Sequence, residues 1–386
     1  MPESQQNYQK FDVAIIGMGV FGSCVAWSLA KRGLRVFGCD QFNLVNDQGS
    51  SHGNTRLLRT LSQNNPSLYS LSVMSRDLWQ ELEEASGERL FEPTGSVVVG
   101  PQDGQLVVRA QEIAEVSGRT VEILSAQELK ERHRAFSTVG DHVVGIVDEL
   151  GGVLHAERCV AAAQNQAVKH GAVLQAHFAV ETIDCADDGF AVTSGGQKIH
   201  AAYVVVATGA WSASLIPELP AVPERIPQVW YTFKGSSESF TVEDLPPFQW
   251  ELDDNVSLWG HGECSGYALA KIGTHGNLEL DRTVDINNLD RKVHPVDVAF
   301  AKKVLTTAMP EIDPEPADSR ICLLTQTPDE QFLVGPLRSN GIHVATGGSG
   351  QGFKHGPAVG EIIAAQICGE QLDVETAFIS PSRFGL

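Results

Sequence analysis

Short apolar runs alternate with polar, glycine-rich turns along the chain. The first run, Phe11-Asp12-Val13-Ala14-Ile15-Ile16, ends in Gly17-Met18-Gly19-Val20-Phe21-Gly22. A helical stretch follows, then the run Leu34-Arg35-Val36-Phe37-Gly38-Cys39 and an acid, Asp40. The pattern predicts strand, turn, helix and strand over residues 11–40. Residues 46–60 are polar and rich in Gly and Ser, and read as a loop running into a helix. Leu68 to Glu84 has helical periodicity, and Gly95 to Gly100 reads as a strand between turns. Ser125 to Arg134 reads as a helix, with Ser125 as N-cap and Glu128 completing a capping box. Ala156 to His170 is helical and leads into a strand at Ala172 to Ala176. Tyr203-Val204-Val205-Val206 is a buried-strand run broken by Ala207-Thr208-Gly209-Ala210-Trp211. Val293 to Met309 reads as a helix. The chain closes with strand-like Phe332 to Gly335 and Ile342 to Ala345, the turn Gly347 to Gly352, and a helix from Val359 to Cys368.

These elements predict an α/β fold, α+β overall. A Rossmann-like nucleotide-binding domain is expected from residues 1–90, 150–220 and 321–386. A second, mainly antiparallel-sheet substrate domain is expected from 91–149 and 221–320. The middle region is rich in Pro and Trp and has no phosphate-type loop.

The opening segment has a physical task at each position. Gly17 permits the tight turn, Gly19 lets backbone approach a pyrophosphate, and Gly22 lets the helix pack on the strand. The helix N-terminus offers free N–H groups to phosphates. Asp40 falls where a ribose-binding acid belongs. The Ala-Thr-Gly turn and the late glycine turn add two further close approaches to a ligand. Three such turns, far apart in sequence, suit a long cofactor, and FAD fits better than NAD.

Charge and cysteine usage narrow the picture. The 386 residues carry a formal net charge of −20, which disfavours nucleic acid and anionic membranes as partners. An anionic substrate then needs a locally basic pocket. Seven cysteines, odd in number and irregular in spacing, argue for a reduced, cytoplasmic protein rather than a disulfide framework. Met1 to Lys10 has no apolar core of a secretory signal, no apolar run has bilayer-spanning length, and the ending Arg383-Phe384-Gly385-Leu386 is not a peroxisomal signal. No metal-ligand spacing is visible.

Three segments resemble the monomeric sarcosine oxidase family, which includes N-methyltryptophan and pipecolate oxidases. They are Gly49-Ser50-Ser51-His52-Gly53-Asn54-Thr55-Arg56-Leu57-Leu58-Arg59, then Cys322-Leu323-Leu324-Thr325 with Thr327-Pro328-Asp329-Glu330, and Gly348-Ser349-Gly350-Gln351-Gly352-Phe353-Lys354. The resemblance covers essentially the whole chain. It implies that Cys322 is joined through sulfur to the 8α carbon of FAD, where a depressed thiol pKa would help. The competing reading is a buried free cysteine. It implies cofactor contacts at Gly17, Gly19, Val20, Phe21 and Gly22, and at Asp40 and Gln41. Others fall at Ser51, His52, Thr55, Arg56 and Leu57, at Val180, and at Ala207, Gly209 and Trp211. The late turn adds Gly350, Gly352, Phe353 and Lys354.

The resemblance also implies chemistry. His52 and Arg56 match positions near the flavin, where a cation favours the reduced, anionic ring. The alternatives are a phosphate or capping contact for Arg56 and a plain loop histidine for His52. Lys271, with His275 four residues on, matches the lysine that speeds O2 reduction. Taken alone, a strand lysine is more often solvated. Arg59 and Lys354 match the pair that holds the substrate carboxylate. The wall around the amine departs from the sarcosine-specific pattern: Asn64 replaces an acid, Leu324 a tyrosine, Leu258-Trp259 a tyrosine pair, and Gln351 a histidine. Trp259 and Leu324 are therefore expected to shape a site for an N-substituted amino acid bulkier than sarcosine. The expected reaction takes a secondary amine to an imine, reduces O2 to H2O2, and proceeds in a monomer. The rivals are a flavin dehydrogenase that serves a carrier and a non-enzymatic flavin protein.

Overall fold

The computed structural model describes residues 10–61, 65–234, 240–253, 256–264, 266–276, 281–338 and 341–386. The strand Lys10–Ile16 lies between Gln197–Val206 and Val36–Cys39, parallel to both, and Val173–Gln175 extends the sheet beyond Val36–Cys39. Lys10–Ile16, Val36–Cys39 and the Val204–Val206 end of the long strand are apolar and buried, as central parallel strands covered on two faces require. Gln197–Val206 also pairs antiparallel with Gly189–Ser194 and parallel with Ile342–Thr346, so the end of the chain returns to the centre of this sheet. Helices Val20–Lys31, Ala156–Lys169 and Gly356–Cys368 share one core with it, through residues such as Val25, Leu29, Ala163 and Ile363.

A second sheet of eight strands runs in the order Asp318–Gln326, Val222–Tyr231, Ala270–His275, Val256–His261, Phe248–Asp253, Ser96–Pro101, Val143–Asp148 and Ile123–Leu124. Every pairing is antiparallel except that between Phe248–Asp253 and Ser96–Pro101. Its core is separate, built on Phe136, Phe248, Trp250, Leu258 and Tyr231.

The helix capped by Ser125 has both halves of its capping box, with Glu128 accepting the Ser125 N–H at 2.8 Å. Two readings need correction. Residues 46–60 do not run directly into a helix: Thr55–Leu58 forms a strand paired with Gly152–His155. The strand carrying Cys322 starts at Asp318 in the second sheet, so the boundary placed at 321 cuts through a strand. Among the described residues no helix is long and apolar enough to cross a membrane.

Candidate active site

One cavity of about 500 Å³ runs from Asp40 and Val180, past the Gly17–Gly19 turn, to Lys271 and Lys354. Gly17 has φ +93°, and a Cβ there would stand 2.6 Å from the carbonyl oxygen of Ala207. A Cβ on Gly22 would stand 1.8 Å from the carbonyl oxygen of Gly17. The helix Val20–Lys31 therefore starts directly over the strand end and points its N-terminus into the cavity. Ser51 reaches across to accept the Val20 N–H at 3.0 Å. The Asp40 carboxylate accepts the N–H of Met18 and of Phe42, each at 2.9 Å. Burial raises its pKa, and these two bonds oppose the rise. Gln41, Ala207, Gly209 and Trp211 complete this end.

The other end lies between the segment Gly49–Arg59 and one face of the second sheet. Glu157 fixes the segment by accepting the N–H groups of Gly53 at 2.7 Å and Asn54 at 3.0 Å. Directly opposed residues in antiparallel strands share a face. The pairs Ile226 with Cys322, Trp230 with Lys271, His261 with Lys271, Trp259 with Gly273 and Gln249 with Trp259 thus put these side chains on one side of the sheet. With Gln228, Leu324 and His275, which follow by the two-residue alternation, they form the floor of the site.

Arg56 donates to the carbonyls of Thr55 at 2.7 Å and Ser50 at 2.6 Å, and lies 3.7 Å from the Cys322 sulfur. Burial pulls the thiol pKa up, but His52, Arg56 and Gln228 outweigh it and bring it down to about 7. His52 stands beside the thiol and is 2% exposed, yet neither ring nitrogen meets hydrogen-bond geometry. Its other side borders a separate polar pocket with Asp47, Glu157 and His177 rather than the main cavity.

Lys271 Nζ donates to the carbonyls of Gly53 at 2.8 Å and Thr55 at 3.0 Å and to Gln228 Oε1 at 2.8 Å. Burial and Arg56 push its pKa well below the ordinary lysine range. Three acceptors nevertheless match the three N–H bonds of an ammonium, and that fit decides for the charged form. The neighbouring His261 is neutral. Its Nδ1–H donates to the Gly262 carbonyl at 2.6 Å, which leaves Nε2 to accept the Thr55 hydroxyl at 2.8 Å. Burial holds its pKa at about 4.

Arg59 donates to Gln249 Oε1 at 2.8 Å and is brought by burial to a pKa of about 10. Lys354 is 3% exposed, and burial with the Arg59 charge pushes its pKa well down. Both line the cavity, as do Trp259, His275 and Leu324. The indole of Trp259 lies across Gly273, where a Cβ would stand 2.2 Å from Cζ2. His275 lies 6.3 Å from that ring, between centroids, and lines the cavity, where enclosure and the Arg59 and Arg282 charges pull its pKa downward.

The structure thus gathers nearly every expected residue around one space, including Thr55, Leu57, Gly350, Gly352 and Phe353. His52 and Gly22 stand behind its wall. Asn64 lies outside the described residues. Gln228, His261, Glu157 and Asp148 escaped sequence reading. Each is a polar residue whose importance shows only in its cross-chain partners. The residues fit FAD: a glycine cradle that Cβ atoms would fill, a buried acid tied to it, and a thiol with depressed pKa at the far end.

Residues 12–366 match the family described as FAD dependent oxidoreductase. The chain is 30% identical over 364 residues to monomeric sarcosine oxidase of Bacillus sp. (strain B-0618), covering 92% of this chain and 91% of that protein. It is 28% identical over 379 residues to N-methyl-L-tryptophan oxidase of Salmonella enteritidis PT4, covering 97% and 99%. A variant of NikD, an amino acid oxidase essential for nikkomycin biosynthesis, superposes with a TM-score of 0.83 at 22% identity over 97% of each chain.

Proposed function

The chain belongs to the FAD-dependent oxidoreductase family, as an enzyme of its amine- and amino-acid-oxidising branch, and on that premise we propose that it oxidises a secondary amino acid bulkier at nitrogen than sarcosine, with O2 as acceptor and H2O2 as product. The observation that carries this reading is the pair Arg59 and Lys354, one half-buried and one buried basic side chain on the wall of the cavity that also holds Lys271 and Cys322. When bound, FAD would supply the acceptor for the two electrons that the substrate's CH–NH group loses, as C–H and N–H bonds break and an imine forms, and the route for those electrons to O2. Cys322 is the residue that would carry its 8α link. Arg59 grips a carboxylate through parallel N–H bonds and Lys354 adds a point charge. This orients the amine carbon across the sheet floor, with the substituent toward Trp259 and Leu324. The carboxylates lining the cavity among the described residues, Asp40 and Glu181, lie at its far end. The amine therefore reacts as the free base, a form the surrounding cations favour. The Lys271 ammonium, pinned by three oxygens, stabilises negative charge as O2 takes its first electron, without any reorganisation.

The experiment is a peroxide assay over N-alkyl and cyclic amino acids, followed by anaerobic reduction and stopped-flow reoxidation. Turnover with release of H2O2 is expected. Lys271→Met should slow reoxidation by roughly 10²-fold or more and reduction far less. Rapid reduction with slow wild-type reoxidation would favour a dehydrogenase serving a carrier, and no turnover on any amine would favour a flavin-binding protein.

A further inference from the structure

Asp148, at the end of strand Val143–Asp148, is fully buried and has no part in the reading above. Its Oδ2 accepts the N–H of Thr60 at 2.6 Å and of Leu61 at 3.2 Å, and the Ser96 hydroxyl at 3.4 Å. Its Oδ1 accepts the Thr60 hydroxyl at 2.8 Å and one Arg119 N–H at 3.1 Å. The same Arg119 nitrogen also donates to the Thr60 hydroxyl at 3.1 Å. Five donors thus converge on one carboxylate, and two of them are the backbone groups that follow Arg59. A buried carboxylate held this way is fixed in place.

Its position answers an electrostatic problem. Arg59 is half-buried and Lys354 buried, and the Arg59 charge opposes that of Lys354. Two like charges in one dry wall destabilise each other unless an anion stands nearby. Asp148 is the anion whose field both of them feel. Arg119, whose side chain is 17% exposed, pairs with it, so the charges run from the partly exposed Arg119 through Asp148 to the pair on the cavity wall.

We propose that Asp148 is the positioning residue of the carboxylate anchor: it clamps the turn after Arg59 and supplies the counter-charge that lets Arg59 and Lys354 face one substrate anion together. It touches no substrate. Without it the anchor keeps its two side chains but loses their fixed direction and part of their charge. This rests on the anchor role given to the pair above.

The test compares holoenzyme and the Asp148→Asn variant for binding of propionate, with propionamide as the uncharged control, read by the change in flavin absorption. Propionate affinity should fall about ten-fold, an energy of about 1.4 kcal/mol, with propionamide affinity unchanged. Because Asn would leave the half-buried Arg119 without its carboxylate, the double variant Asp148→Asn with Arg119→Gln serves where the single one does not fold, and the same selective loss is expected. A melting scan and a Thr60→Val variant, which keeps the charge, control for structure, and Thr60→Val should retain most propionate affinity. Equal loss for acid and amide, or none, in a folded variant overturns the proposal. Wild-type enzyme that binds propionate no better than propionamide would instead overturn the anchor role of Arg59 and Lys354 and leave Asp148 with nothing to position.

Discussion

Arg56 holds its guanidinium 3.7 Å from the Cys322 sulfur while two carbonyls pin the other donors. The cation is aimed by the backbone, and the thiol is tuned by the cation. Burial alone moves a thiol up, as it does for Cys24 in the nucleotide-binding core. Cys322 is equally enclosed but comes down to about 7. Replacing Arg56 with Gln should therefore raise its pKa. In apoprotein, alkylation of Cys322 at pH 7 should slow about ten-fold for each unit of rise. In holoprotein, acid precipitation should leave the yellow colour in the wild-type pellet and release it from Cys322→Ser. Wild-type colour in the supernatant would remove the covalent link.

Gly22 and Gly33 allow a comparison within one βα unit. A Cβ on Gly22 collides with backbone at 1.8 Å, so the helix start must move. Gly33 has φ +83° and nothing within 4 Å, so a Cβ there meets only backbone strain. Gly33→Ala should cost about 1 kcal/mol and leave flavin content unchanged. Gly22→Ala should cost about 3 kcal/mol or more and lower the flavin incorporated. Melting temperature and the ratio of flavin to protein absorbance check both. Similar losses at the two glycines would mean that close packing at Gly22 is not what the turn requires.

The glycine turn, the acid after it and the helices were legible because they rest on local rules. Their spacing is short and their periodicity is intact. The second sheet was harder to read. Strand Val222–Tyr231 contains Pro223 and Pro227, which look like turns in sequence. Both are tolerated because the Ala270–His275 strand pairs only with Trp230 and Tyr231, which leaves the proline-bearing stretch without that neighbour. Gln228, inside this strand, gains its meaning from Lys271, 43 positions away. Asp148 and His261 likewise look like ordinary polar residues of half-exposed strands. Only the fold shows that they are buried and who their partners are.

His261 predicts acid sensitivity. Its folded pKa of about 4 lies below the ordinary 6.5, so the unfolded chain binds more protons between these values. Stability contributed by the neutral ring is fully present above pH 6.5 and is lost as pH falls toward 4. By linkage the loss from this residue approaches about 3 kcal/mol at the acid end. His261→Gln keeps a group for the Thr55 hydroxyl and carries no proton. Its melting temperature should be lower at pH 7.5 but fall less steeply from pH 6.5 to 4.5. A variant curve parallel to wild type across that range would show that the ring does not govern the acid limb.

Trp259 and Leu324 set the expected substrate preference, and Gly273 sets Trp259. The indole can lie flat against the sheet because position 273 has no side chain; a Cβ would meet the ring at 2.2 Å. The indole is therefore a flat apolar surface on that wall, without the hydroxyl groups that tyrosines would place there, and Leu324 lines the same cavity with two strands between them. A methyl group alone leaves much of such a wall uncovered, whereas a ring or a longer N-alkyl group covers it. Each methylene so placed is worth roughly ten-fold or more in kcat/KM. The Leu324→Tyr and Trp259→Tyr double variant should shift the ratio of kcat/KM toward sarcosine by roughly ten-fold or more over N-ethyl and cyclic substrates. Gly273→Ala should tilt the indole into the cavity and penalise the bulkiest substrates first, with sarcosine least affected. Steady-state kinetics over a graded N-alkyl series decides the matter. A wild-type enzyme that prefers sarcosine to every larger analogue would show that the wall excludes bulk rather than receiving it.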